Sequence, residues 1–85
     1  MKLYILRPHR NLPDNDDPWI PWYDKPFGYI VRAESEIEAR ELCAKNSDDS
    51  SSLDGDVWRN HHYVECRELT SNGEAGIIIR DFHAA

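Results

Sequence analysis

The residue types best suited to chemistry are His61, His62 and Cys66, with Cys43 and His9 as more distant candidates. Imidazole and thiolate are good zinc ligands, and a structural zinc site needs four of them. The spacing works against that use. Adjacent histidines at the start of a strand point to opposite faces, and neither a Cys-x-x-Cys nor a His-x-x-x-His pair supports them. A nucleophilic Cys66 would need His62 or His83 beside it and an electropositive setting. Its alternation with Val64 instead directs it toward a core. A small metal- or thiol-dependent enzyme using His61 or His62 with Cys66 therefore stands as the alternative reading.

Carboxylates are abundant at Asp14, Asp16 and Asp17 and again at Asp48, Asp49, Asp54 and Asp56. A calcium loop requires glycine at its sixth position and a bidentate acid at its twelfth. Placing Gly55 sixth puts His61 twelfth, which fails. The chain has no glycine-rich phosphate loop. The expectation is no catalytic group, no metal and no cofactor.

The remaining reactive surface is one of binding. Trp19-Ile20-Pro21-Trp22-Tyr23 sits beside the acids 14–17, and a few large rings supply most of the energy of a protein interface. The same rings can equally plug a small core. Residues 14–56 carry twelve acidic and four basic side chains, while the rest of the chain carries four and six. An acidic middle argues against a direct nucleic-acid binder, which needs a basic face. It suits a basic partner, because complementary fields speed encounter. The expected contact set is Asp14, Asp16, Asp17, Trp19, Trp22 and Tyr23 from the loop, and Glu36, Glu38, Glu41, Asp48 and Asp49 from the helix and its exit.

These residues must be positioned by a single domain of 85 residues. The strand Lys2 to Arg7 alternates Leu3 and Ile5 against Tyr4 and Leu6, and Pro8 ends it. Residues 8–26 form a long connection holding all five prolines; loops of that length are functional or disordered. A second strand runs from Phe27 to Ala33. Ser35-Glu36-Ile37-Glu38 makes a capping box, so a helix follows from about Glu36 to Lys45. Its buried stripe is Ala39, Leu42 and Cys43, and Asn46 ends it. Residues 47–56 read as a flexible acidic, serine-rich loop. A third strand spans Tyr63 to Leu69. Asn72-Gly73 then signals a two-residue hairpin leading into a fourth strand from Ala75 or Gly76 to Phe82. The fold expected is α+β, in the order β-β-α-β-β: a mainly antiparallel four-stranded sheet with one helix on one face. Tyr4, Leu6, Tyr29, Ile78 and the tryptophan loop compete for the other face.

The phrase Val31-Arg32-Ala33-Glu34-Ser35-Glu36 with Glu38-Ala39-Arg40, and the ending Gly76-Ile77-Ile78-Ile79-Arg80-Asp81-Phe82, resemble short bacterial and phage-borne proteins of unknown activity. The resemblance covers about half of the chain. It implies a compact α+β domain with no catalytic residues to carry over. In size, acidity and lack of a reaction centre the chain is also similar to anti-CRISPR and other anti-defence proteins. These occupy a surface of a host complex and in some cases mimic the charge of nucleic acid. The expectation is thus a non-catalytic acidic module that binds a basic surface of a host protein or nucleoprotein complex. No apolar run is long enough for a membrane span, and no export signal precedes the cysteines, so the expected location is the host cytoplasm with free thiols. A free strand edge would also let two copies pair as a homodimer.

Overall fold

Strand β1 (Lys2–Pro8) is the middle of the sheet. Tyr4, Ile5 and Leu6 are consecutive and all buried, as a strand covered on both faces requires. The computed structural model describes residues 1–50 and 53–80. In it β1 pairs antiparallel with β2 (Tyr29–Ala33) on one side and with β3 (Val64–Leu69) on the other. The sheet is three-stranded in the order β2-β1-β3.

The registers Tyr4↔Val31 and Leu6↔Tyr29 on one side, with Leu6↔Cys66 and Pro8↔Val64 on the other, sort one face of the sheet. Tyr4, Leu6, Tyr29, Val31, Val64 and Cys66 point to that face, and helix α1 (Glu36–Ser50) packs over it. Tyr4, Leu6 and Tyr29 thus belong to the helix-covered side rather than competing for the other one. The opposite face presents Leu3, Ile5 and Arg7 of β1 with Ile30, Arg32, Glu65, Arg67 and Leu69.

Ser35 caps α1 as expected, its Oγ accepting from the Glu38 N–H at 3.2 Å. The buried face of the helix is Ala39, Arg40, Cys43, Ala44 and Ser47. Small side chains at this spacing let the helix lie close to the sheet. Leu42, expected in that stripe, points outward and is 45% exposed. The helix also passes Asn46 without stopping. The Tyr29 hydroxyl donates to Asn46 Oδ1 at 2.8 Å, and the Ser47 hydroxyl donates to the Leu53 carbonyl at 3.0 Å. Tertiary bonds thus hold residues that local preference assigns to a stop.

Helix α1 thus takes residues 47–50 of the stretch 47–56 expected as a flexible loop, and a short helix, α2 (Asp56–Arg59), begins at the end of that stretch, over residues for which no element was expected. Helix α2 is held by the Gly55 N–H donating to Asp48 Oδ1 at 2.7 Å. It buries Val57 and Trp58, and Trp58 is the largest fully buried side chain. Trp19 and Tyr29 meet it edge-on, at 5.7 and 4.8 Å between ring centres. Arg40 closes this corner, donating to Glu36 Oε2 and to the Trp58 carbonyl, both at 3.0 Å.

The expected fourth strand is not formed in the described residues 75–80, which are irregular; Asp81 and Phe82 lie outside the described residues. The reason is local. A hairpin turn of the expected type needs positive φ at both central residues. Gly73 has a φ of 148°, but Asn72 does not adopt a positive φ. The chain therefore does not fold back as a ladder. Ile77 and Ile78 are 83% and 67% exposed, and Ile79 lies beside Ile5 and Ile30 on the sheet face away from α1.

Candidate functional site

The loop between β1 and β2 splits its aromatic residues. Trp19 is a core residue, 3% exposed; its indole N–H donates to the Pro26 carbonyl at 2.8 Å, and its backbone N–H donates to Asp17 Oδ1 at 2.9 Å. Trp22 and Tyr23 are each 64% exposed, and Ile20 is exposed beside them. The plug and the anchor expected as alternatives are thus both present, in different residues. Trp19 is withdrawn from the contact set, and Asp17 is engaged in shaping its turn.

Asp16 is withdrawn as well. It lies in a 3-10 turn, Asp14–Asp16, and its two oxygens face the segment leading into β3. The Tyr63 hydroxyl donates to Oδ1 at 2.6 Å, and His62 Nε2 stands 3.0 Å from Oδ2. The Tyr63 bond, with the His62 contact second, holds the Asp16 carboxyl below the usual carboxylate range, and the same bond pushes the Tyr63 phenol up. His9 Nε2 lies 2.9 Å from the His61 carbonyl. Three histidines considered for chemistry thus serve the join between the long loop and β3, His9 and His62 through their rings and His61 through its backbone.

Cys66 faces α1 rather than these imidazoles. Burial pushes its thiol up, and burial pushes the neighbouring Cys43 thiol up to about 12. Neither is poised as a thiolate nucleophile. Among the described residues, no group of three or more His, Cys, Asp or Glu side chains is gathered as metal ligands. None of the helices, over the same residues, is long and apolar enough to cross a membrane.

The helix acids divide in a similar way. Glu36 pairs with Arg40, and Glu41 accepts two bonds from Arg59 at 2.9 and 3.1 Å, which lowers the Glu41 carboxyl and raises the Arg59 guanidinium. Arg59 also pairs with Asp56, and Asp48 is spent on Gly55. What faces solvent is a stripe along the outer side of α1, where Glu38, Glu41, Lys45 and Asp49 surround the half-exposed Leu42. Asp48 and Arg59 complete the rim of a shallow depression of about 370 Å³. Asp14 is exposed in its turn, on the loop.

A second concavity was not foreseen. A cleft of about 880 Å³ opens between the long loop, the sheet face away from α1 and the C-terminal segment, and Arg7, Arg10, Arg67 and Arg80 all line it. Its trace in the sequence is the basic excess of the two chain ends. Four arginines spread over more than seventy positions become neighbours only once the strand order is known. No protein-family model, curated protein or solved structure matches the chain.

Proposed function

We propose that this protein is a non-catalytic binding module that docks its acidic helix face on a basic surface of another protein. The observation that carries this reading is Leu42. A leucine in helical register with a core stripe lies 45% exposed in the middle of an acidic depression. An apolar centre with a charged rim is the anatomy of a recognition surface. Trp22 and Tyr23 supply a second exposed anchor on the loop. A nucleic-acid-binding groove of a host nucleoprotein defence complex is one basic surface that such a face would occlude, by mimicking negative charge.

The test is affinity capture on immobilised protein at two salt concentrations, with three folded variants beside the wild type. Leu42→Ser, Glu38→Lys with Asp49→Lys, and Trp22→Ala with Tyr23→Ala alter exposed positions only. The expected result is one partner retained by the wild type, weakened by salt, and lost with the Leu42 and charge-reversal variants. A partner retained equally by both of these variants, or no retained partner in host extract, overturns the reading.

A further inference from the structure

Asn72-Gly73, expected to turn a hairpin, is left without that role by the fold. Both residues are exposed and lie outside any helix or strand. A Cβ built on Gly73 would meet nothing within 4 Å. The Thr70 hydroxyl donates to the Asn72 backbone carbonyl at 3.3 Å. Among the described residues, neither the Asn72 carboxamide nor the Gly73 N–H is hydrogen-bonded.

An asparagine followed by glycine can cyclise on itself. The Gly73 backbone nitrogen, deprotonated by solvent base, attacks Cγ of Asn72. The N–Cγ bond forms, the Cγ–Nδ2 bond breaks, and ammonia leaves with a proton taken from water. Water then opens the cyclic imide. Opening at Cγ returns the ordinary main chain with aspartate; opening at the backbone carbonyl gives isoaspartate, whose main chain runs through the former side chain. The sum is carboxamide and water to carboxylate and ammonium, with no oxidant or cofactor. A glycine favours the step because it has no Cβ to crowd the attacking nitrogen. A packed or hydrogen-bonded backbone opposes it, since the segment must first open for the ring to close.

Other parts of the chain have that opposition. Asp54-Gly55 has the same order of residue types, and its acid could cyclise with loss of water. There the Gly55 N–H donates to Asp48 Oδ1 at 2.7 Å, the Gly55 carbonyl accepts from the Trp58 N–H at 2.9 Å, and Asp54 Oδ1 accepts from the Asp56 N–H at 2.9 Å. A Cβ at Gly55 would stand 2.4 Å from the Ala44 carbonyl oxygen, so this backbone has no space in which to swing. Asn46 lies inside α1 with its Oδ1 bonded to Tyr29, and Asn60 Oδ1 accepts from the His62 N–H at 2.8 Å. Asn11 and Asn15 are followed by Leu12 and Asp16, which carry the crowding Cβ.

We infer that Asn72-Gly73 is a self-modification site, at which the folded chain deamidates through a cyclic imide to aspartate and isoaspartate while Asp54-Gly55 stays intact. The change adds one negative charge to the net −6. In its isoaspartate form it also lengthens the main chain between β3 and the segment that brings Ile79 beside Ile5 and Ile30. The site is separate from the α1 face, so each reading can fail without the other.

The experiment incubates the intact protein in mildly acidic and in mildly alkaline buffer, beside a sample held unfolded in guanidinium chloride. Released ammonia and site-resolved peptide mapping follow the reaction, and enzymatic methylation of the free α-carboxylate distinguishes isoaspartate from aspartate. Asn72 is expected to convert in the folded protein within about tenfold of its rate in the unfolded one, because exposed loops open at almost no cost in free energy. The rate should rise with pH, isoaspartate should be among the products, and Asp54 should stay unchanged in the folded sample. Asn72→Gln, at an exposed position, should abolish the conversion there. A folded rate more than about tenfold below the unfolded one, ammonia release undiminished in Asn72→Gln, or isoaspartate at position 54 of the folded chain each overturns the assignment. The comparison of folded and unfolded samples needs no variant, so misfolding of a mutant cannot hide the answer.

Discussion

Asp16 is held by two donors some forty-six residues away, and this makes one carboxylate a measurable tie between the long loop and β3. Its charged form is favoured in the fold, so its folded pKa lies below the unfolded one. Stability from such a group is fully present above the unfolded value near 4 and is lost as pH falls through the folded value. Asp16→Asn keeps an acceptor for the Tyr63 hydroxyl and removes the charge. The variant should melt below the wild type at pH 6, and the gap should be narrower at about pH 3, below the unfolded carboxylate value near 4, where proton uptake by the unfolded chain already erodes the wild type's advantage. Thermal melts followed by circular dichroism at the two pH values check this; a gap of constant size would mean that the carboxylate charge contributes nothing. The same bond acts on Tyr63 in the opposite sense. Its raised phenol pKa gives stability present below the unfolded value near 10 and lost as pH rises through the folded one. This part of the molecule was half legible in the sequence. The reactive types were conspicuous, but His62 and Asp16 meet only because the loop folds across the start of β3, and no local pattern reports that meeting.

At the scale of elements, Gly55 decides how closely α2 approaches α1. A Cβ built there would stand 2.4 Å from the Ala44 carbonyl oxygen and 2.6 Å from the Asp48 carboxyl. Its backbone, at φ −59° and ψ −28°, is one that alanine tolerates, so chain entropy alone would make Gly55→Ala stabilising by about 0.4–1 kcal/mol. The clash is with backbone and must displace one helix from the other, an overpacking that costs about 1–3 kcal/mol. The clash wins, and urea denaturation should show a net loss of about 1–2 kcal/mol. The long loop offers a paired comparison. Trp19→Ala empties a core position and should cost about 3–5 kcal/mol, a large share of the roughly 5–10 kcal/mol expected for a domain of this size. Trp22→Ala, on the exposed part of the same loop, should cost under about 1 kcal/mol. Equal losses in chemical denaturation would show that the loop packs as one unit.

These elements also separate what the sequence reveals from what it hides. β1, β2, β3 and the start of α1 follow from alternation and from the Ser35 cap, which act within a few residues. The end of α1 and the existence of α2 depend on Asn46, Ser47 and Trp58 meeting distant partners, whereas the fourth strand fails at the Asn72 backbone, which does not take the positive φ that the hairpin turn needs. Leu42 satisfies the helical period of the core and yet faces solvent. Periodicity gives a direction around the helix axis to within a residue, and here the small face Ala39, Cys43, Ala44 and Ser47 took the sheet.

For the whole molecule the decisive feature is charge sorted by layer: carboxylates along the outside of α1, arginines on the far face of the sheet and in its cleft. Two copies placed head to tail would bring opposite charges together, while the net −6 on each drives them apart. The sheet adds a further route, since β2 and β3 are both edge strands and Leu3 and Ile30 are exposed on the face away from α1. At neutral pH the net repulsion acts first, because it is felt before any specific contact forms. Glu65, Arg67 and Glu68 also blunt the β3 edge, as charges on an edge strand do. Lowering the pH toward the isoelectric point near 5.0 removes the repulsion while many carboxylates remain charged. Sedimentation velocity should therefore show a monomer at pH 7.5 in both low and moderate salt, and larger species as pH approaches 5.0. A dimer at pH 7.5 that survives high salt would instead mean that apolar or edge-strand contacts outweigh charge. In that case the exposed residues Leu3 and Ile30 would be the first to substitute, and the molecule would have to be regarded as a self-associating module.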